Sequence, residues 1–161
     1  MATVDFFLRL DGIPGEATDK THKGEIDLLS WAWGETNSGT SSYGGGSGAG
    51  KVAMQDFSFT MRTNTASPKL LLACASGKPI ATGTLTCRKA GGTALEYVVI
   101  NFKNLIVSSF HTGGNADEVV PVDTVTINFS AIQYTYTPQT DTGGAGSKVG
   151  SSWDLKTNTG S

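Results

Sequence analysis

The sequence predicts a mainly β protein carrying a single helix. Three observations predict it. Apolar residues recur with period two in most apolar segments, as on a half-buried strand. One segment only, SPKLLLACASGK, carries both a start and a stop signal for a helix. Hydrophobic residues make up 38% of the 161 positions and charged residues 16%, while 21 are glycine. Both fractions are low for a globular chain, which favours sheets with polar faces and long loops over a helical bundle. The length fits one domain spanning residues 1–161.

The elements follow in order. Val4, Phe6, Leu8 and Leu10 alternate with Asp5, Phe7 and Arg9, and Asp11-Gly12 ends this strand with a turn. After a polar, turn-rich stretch, EIDLLSWAWGE places Leu29, Trp31 and Trp33 on one extended face. Ile26, Leu28, Ser30 and Ala32 fall on the other. KVAMQDFSFTMR puts Ala53, Gln55, Phe57, Phe59 and Met61 on one face, opposite Val52, Met54, Asp56, Ser58 and Thr60. In the helical segment Ser67 reads as the N-cap, Pro68 as the first helical residue and Gly77 as the left-handed stop. Its run from Leu70 to Ala75 is apolar most of the way round, so it should pack on sheet.

TLTCRK and ALEYVVINF flank Ala90-Gly91-Gly92-Thr93, a hairpin signal, and the second arm can continue through LIVSSFHTGG. In DTVTINFSAIQYTYTP the apolar parity slips. Val125, Ile127 and Phe129 are odd; Ile132, Tyr134 and Tyr136 are even. A one-residue slip predicts a bulge, or a strand changing sheets, near Ser130-Ala131. Residues 139–161 read as a flexible C-terminal tail, with Trp153 and Leu155 its only evident anchors.

The run Gly45-Gly46-Ser47-Gly48-Ala49-Gly50-Lys51 imitates a phosphate-binding P-loop. Such a loop needs a helix after the lysine, so that free N–H groups and the dipole face the phosphates, and a Ser or Thr to hold Mg²⁺. Here Val52 follows Lys51, and the next residues alternate as a strand. The glycines therefore need another explanation. Thr36–Gly50 holds six glycines and one large side chain, Tyr43. Fixing its backbone would cost on the order of 15–30 kcal/mol, and burying one tyrosine returns only a few. Such a segment takes fixed shape only against a neighbour.

Other chemistry fares no better. His22 and His111 sit in separate turn-rich segments, away from Cys74 and Cys87 in ligand spacing. The cysteines lack CxxC spacing and read as core thiols, with a disulfide left open. Ser108-Ser109 near His111 lacks a nucleophile elbow. Glu16, Asp19, Glu25 and Asp27 could form an acid/base pair but read more simply as a charge-mixed surface. Net charge is −2 and no Lys/Arg run exceeds two, so a nucleic-acid surface is not expected. No apolar run reaches membrane-spanning length, and MATVDFFLRLDG reads as a strand, not a cleaved signal peptide. A β-sandwich module that stacks sugars on its Trp and Tyr residues is the rival class, although their alternation with core positions predicts that most are buried.

GEATDKTHKGEIDLLSWAWG, GGGSGAGKVAMQDFSFT, ASPKLLLACASGK, TLTCRKAGG, EYVVINFKNLIVSSFHTGG, VTINFSAIQYTYTPQ and WDLKTN together carry a family likeness over nearly the whole chain. The chain resembles the Hcp (haemolysin-coregulated protein) family of type VI secretion systems. The resemblance implies a compact two-sheet β-barrel with one flanking α-helix, and a structural protein, not an enzyme, without cofactor or metal. It implies six copies in a ring, rings stacked into a tube, and partners in the contractile sheath and the tip spike. Small effectors would travel in the lumen. The protein would leave the bacterial cytoplasm without a cleaved signal peptide. The resemblance further implies that residues 36–50 form an extended loop reaching the next ring, with Thr40, Ser41, Ser42, Tyr43, Gly44, Gly45 and Gly46 as its contacts. Ser30 and Ala32, opposite the Trp face, are the candidates for facing the lumen; packing beneath the helix is the alternative.

Overall fold

Twelve strands and one helix occupy the residues that the computed structural model describes, 4–37, 51–89 and 94–161. β1 is Val4–Leu10, β2 Ile26–Asp27, β3 Ser30–Ala32, β4 Glu35–Asn37 and β5 Val52–Met54. β6 is Phe57–Arg62 and the helix α1 is Ala66–Ser76. β7 is Ile80–Lys89, β8 Leu95–Gly113, β9 Val122–Asn128, β10 Ala131–Tyr136, β11 Val149–Asp154 and β12 Thr159–Gly160.

The strands make two sheets that share β8. The first runs β12-β11-β10-β8-β7-β1-β2; the second runs β3-β6-β9-β8. All ladders are antiparallel. β4 and β5 form a separate two-stranded ladder. Among the described residues the ladders do not close round into the expected barrel. Instead the chain crosses between sheets at corners. At one corner Leu28 N–H donates to the Phe6 carbonyl at 3.0 Å, and Leu29 N–H to that of Thr60 at 2.8 Å. Two single bonds thus span the gap that a continuous ladder would fill.

β8 is long enough to serve both sheets. Its first part pairs with β7 and β10, and from Ile106 on it pairs with β9. At the changeover Asn104 adopts φ 53°, a left-handed conformation that asparagine tolerates. The neighbouring corner, between β9 and β10, is tied to it. Ser130 N–H donates to the Lys103 carbonyl at 3.0 Å, and Asn104 Nδ2 donates to Ser130 Oγ at 3.0 Å. The parity slip near Ser130-Ala131 is thus a change of sheets.

The core lies between the sheets. Its centre is a continuous aromatic path. Trp31 meets Phe57 at 6.2 Å between ring centroids, Phe57 meets Phe102 at 4.9 Å, Phe102 meets Phe129 at 5.0 Å, and Phe129 meets Trp33 at 6.3 Å. Centroid separations of this size are attractive for tilted and edge-on rings. Phe57, Phe59 and Met61 fill the inner face of β6 as their parity predicts. Upstream the parity fails twice. Ile26 and Leu28 are core while Leu29 is exposed, yet Trp31 and Trp33 pack on the core. The crossing at Leu28–Leu29 resets the phase. Likewise Met54 packs on the core and Ala53 is exposed, because the chain leaves the β4–β5 ladder before entering β6.

The helix differs from its expected start. Thr65, not Ser67, is the N-cap residue, and Thr65 makes no side-chain cap bond. Asn64 Oδ1 instead accepts Ala66 N–H at 2.8 Å. Ser67 is buried in the first turn, where its hydroxyl accepts Asn64 N–H at 3.0 Å and donates to Asp123 at 2.5 Å. Pro68 is the third helical residue, where its missing N–H still costs nothing. Gly77 stops the helix in the expected left-handed conformation, φ 66°. One face, with Leu70 and Ala73, packs inward, while Leu71 and Leu72 remain 55% and 65% exposed.

Three more expectations change. Tyr134 and Tyr136 are exposed, not buried, although β10 pairs without a bulge and gives them the face of Ile132; on that face the buried part ends at Ile132. Residues 139–161, read as a flexible tail, contain β11 and β12. β11 pairs with β10 over six residues, and Trp153 opposite Ile132 packs on the core. Backbone pairing, not side-chain alternation, makes this strand. Thr36 and Asn37 belong to β4, so the glycine segment begins later than position 36. Lys51 directly precedes β5, a strand, which removes the helix a P-loop needs.

Candidate functional site: the hydroxyl face of the second sheet

The second sheet has an inner face of large apolar groups and an outer face of small polar ones. Antiparallel registry places Ser30 opposite Thr60 and Ala32 opposite Ser58, then Thr60 opposite Thr124 and Ser58 opposite Thr126. Because parity alternates, every neighbour of Trp31, Phe59 and Val125 points outward together. Ser30 and Ala32 are both exposed, on an edge strand. They do not pack beneath α1.

The hydroxyls bond one another across strands. Ser30 Oγ and Thr60 Oγ1 are 2.6 Å apart. Thr126 Oγ1 lies 2.7 Å from Ser108 Oγ and 2.5 Å from Ser109 Oγ. A bulge between Val107 and Ser109 brings both serines to the one threonine. Asp56 closes the row, accepting from Ser108 Oγ at 2.6 Å and from Asn128 Nδ2 at 2.9 Å. Ser108 and Ser109 therefore spend their hydroxyls on a structural row. His111, an exposed residue opposite Thr124, stands outside that row of bonds. The outer face is thus a row of short polar side chains whose hydroxyls are bonded to one another and to Asp56.

The glycine-rich segment with Thr40, Ser41, Ser42, Tyr43, Gly44, Gly45 and Gly46 lies outside the described residues. Its base does not. The β4–β5 ladder stands beside an open groove of about 740 Å³ lined by Trp33, Met54, Ile132, Tyr134 and Trp153. The groove is aromatic, and of its rings Tyr134 is the exposed one. Trp33 is turned toward Phe129 and Trp153 is packed on the core.

Two of the four acids, Asp19 and Glu25, are held in ion pairs. Asp19 takes two bonds from Arg88, at 2.6 and 2.9 Å, and accepts the N–H groups of Thr21 and His22. The Arg88 bonds hold the Asp19 carboxyl well below the usual range, against a smaller opposing effect of burial. Glu16 accepts Thr65 N–H at 3.1 Å. His22, only 7% exposed, lies between two carboxylates: Nδ1 is 2.7 Å from Glu25 and Nε2 is 2.6 Å from Glu96. Ionised carboxylates only accept, so both ring nitrogens donate and the ring is an imidazolium. The ring stacks on Phe7 at 4.5 Å, and Arg88 lies over the same Phe7 at 5.0 Å. Burial pushes the pKa of Asp27 up, aided by its acidic neighbours Asp5, Asp19 and Glu25. These bonds fasten residues 14–25 to β7 and β8. Cys74 is half-buried and Cys87 buried. Neither forms a disulfide, and burial pushes Cys87 up to about 11 despite a hydrogen bond from Trp31.

The His22 arrangement sets a pH dependence. Burial alone would lower the His22 pKa, but the bonds to Glu96 and Glu25 outweigh it and raise the value above 6.5. A raised folded-state value means that the stabilisation is complete below 6.5 and is lost as pH rises through the folded value. His22→Gln is expected to lower Tm by about 3–6 °C at pH 6 and by much less at pH 9. Thermal melts at the two pH values check this; an equal loss at both would leave the imidazolium without a role.

Comparison with known proteins agrees in one direction. A family model described as "Type VI secretion system effector, Hcp" matches residues 7–136. Protein hcp1 of Pseudomonas aeruginosa is 44% identical over 157 residues, covering 96% of this chain and 97% of that protein. A solved structure described as a type six secretion system protein superimposes with a TM-score of 0.92 at 30% identity, covering 98% of this chain and 99% of its own. Hcp1 from Salmonella typhimurium superimposes with a TM-score of 0.80 at 34% identity, covering 99% and 100%.

Proposed function

This chain belongs to the Hcp family of type VI secretion proteins, and from that premise we propose that it is a structural subunit of the secretion tube. In this reading six copies close into a ring, the rings stack, and the stack is driven out of a bacterium by a sheath behind a spike. The glycine-rich segment, through Thr40, Ser41, Ser42, Tyr43, Gly44, Gly45 and Gly46, touches the next ring. The glycines permit close backbone approach, and the neighbour supplies the contact area that the segment lacks. Among the described residues no helix is long and apolar enough to cross a membrane.

The observation that carries the lumen assignment is the outward hydroxyl face. A channel that passes cargo needs a wall that is wetted, smooth and slow to bind. Ser30, Thr60, Thr124 and Thr126 offer short side chains, several of them already bonded to one another, and Ala32 adds a position with no hydrogen bond to give. Cargo effectors would touch this wall without a deep pocket to grip them.

Negative-stain imaging with light scattering tests the ring. Six-fold toroids with about six times the protomer mass are expected; a monomer at every concentration overturns the reading. For the lumen, Ala32→Trp is expected to leave rings intact, since the side chain is exposed on an edge strand. Co-expressed cargo should lose its protection from proteolysis. Unchanged protection with rings formed removes Ala32 and its face from the lumen.

A further inference from the structure

Helix α1 carries a second apolar stripe, on the side away from the core. Pro68, Leu71, Leu72 and Ala75 follow the i, i+3, i+4, i+7 spacing and all are exposed. Leu71 and Leu72 are 55% and 65% accessible. Lys69 and Lys78, both exposed, flank the stripe, and no acidic residue lies in the first helical turn nor a basic one in the last. A helix normally turns such a stripe inward; two apolar sides call for two partners.

A matching surface exists elsewhere on the chain. The β8–β9 connection, residues 114–121, ends in Asp117-Glu118-Val119-Val120. Val119 is 99% and Val120 38% accessible, so Val119 touches nothing in its own protomer. The tip is nonetheless held in shape. Asp117 N–H donates to Asn115 Oδ1 at 2.9 Å and Glu118 N–H to the Asn115 carbonyl at 3.3 Å. Its base is pinned where Thr63 N–H donates to the Pro121 carbonyl at 2.9 Å. An apolar tip beside two carboxylates and an apolar stripe beside two ammonium groups complement each other in both polarity and charge.

We propose that the 114–121 tip of one copy docks on the outer stripe of α1 of a second copy. Val119 and Val120 cover Leu71 and Leu72, and Asp117 and Glu118 face Lys69 and Lys78. The two patches differ, so the contact is heterologous and propagates from copy to copy until a rotation closes it. The preformed tip means that little ordering is lost on docking. This inference rests on the self-assembly proposed above and names one contact within it.

Charge reversal tests it on the full chain. Asp117→Lys with Glu118→Lys, and separately Lys69→Glu with Lys78→Glu, are expected to raise the concentration at which assemblies form by about tenfold or more. Combining the two pairs is expected to restore assembly to within about threefold of the parent. Sedimentation velocity and light scattering read the assembled mass. Unchanged thermal melts of the reversed chains at low concentration show that folding is intact. Val119→Ser, at a position with no contact to lose within the protomer, is expected to weaken assembly without changing the melt. If the parent assembles and the reversals change nothing, or the combined chain is worse than either pair, the contact is overturned and the tube reading stands. If the parent never assembles, both fall.

Discussion

Phe57→Ala is expected to lower stability by about 3–5 kcal/mol, the range for a fully enclosed aromatic cut back to a methyl. Phe57 is completely buried. It is also the junction of the aromatic path, in contact with Trp31, Phe59 and Phe102. Trp31 lies on β3, Phe57 and Phe59 on β6 and Phe102 on β8. The phenyl ring therefore joins the edge strand bearing Ser30 and Ala32 to the strand both sheets share. Because the rings on three sides sit on strands held in their ladders, the vacated space cannot readily collapse, which places the loss toward the upper end. For a domain of this size Tm should fall by about 10 °C or more. Denaturant unfolding at fixed protein concentration checks the value, with the midpoint falling and the slope unchanged. Should the alanine variant be too unstable to purify, Phe57→Leu gives a graded version with roughly 1–2 kcal/mol of loss. A loss under about 1 kcal/mol for alanine would mean that the two sheets are held without this path.

What the sequence made legible follows from where parity carries information. The change of sheets at Ser130-Ala131 was readable because two small residues separate two apolar registers. The change at Leu28–Leu29 was not, because two adjacent leucines satisfy either phase and hide the reset. Ser30 and Ala32 could be placed on the outer face because Trp31 between them has one side to bury. Tyr134 and Tyr136 misled because parity reports which face a residue shares, not how far along that face the core extends: they continue the face of Ile132 beyond its buried part. β11, VGSSWD, offers no alternation to read, since its place depends on the backbone of β10. The pairing of His22 with Glu96 spans 74 positions, and local pattern holds no trace of it. The P-loop imitation was resolved by the residue after the lysine, a local feature. The inter-ring contacts, by contrast, are implied by likeness to relatives alone.

Asp123→Ala is expected to cost about 3 kcal/mol, through loss of hydrogen bonds rather than loss of packing. Asp123 is a fully buried carboxylate, and no ion pair satisfies it among the described residues. Two hydroxyls do the work. Ser67 Oγ donates at 2.5 Å and Thr63 Oγ1 at 2.9 Å. Ser67 sits in the first turn of α1, so the anion also meets the positive end of the helix dipole. Hydrogen bonds to a charged acceptor contribute about 1.5–3 kcal/mol each, and truncation leaves two enclosed donors without partners. Against this stands the cost of burying a charge, which the alanine relieves. Asp123→Asn separates the two effects, because the amide keeps an acceptor and sheds the charge. If the bonds dominate, as the short distances argue, asparagine loses about 1 kcal/mol and alanine about three times that. If desolvation of the charge dominates, asparagine is more stable than the parent. A double-mutant cycle with Ser67→Ala assigns the coupling: the two losses should fall short of additive by about 1 kcal/mol or more. Additive losses would detach α1 from this carboxylate and leave the helix held by Leu70 and Ala73 alone.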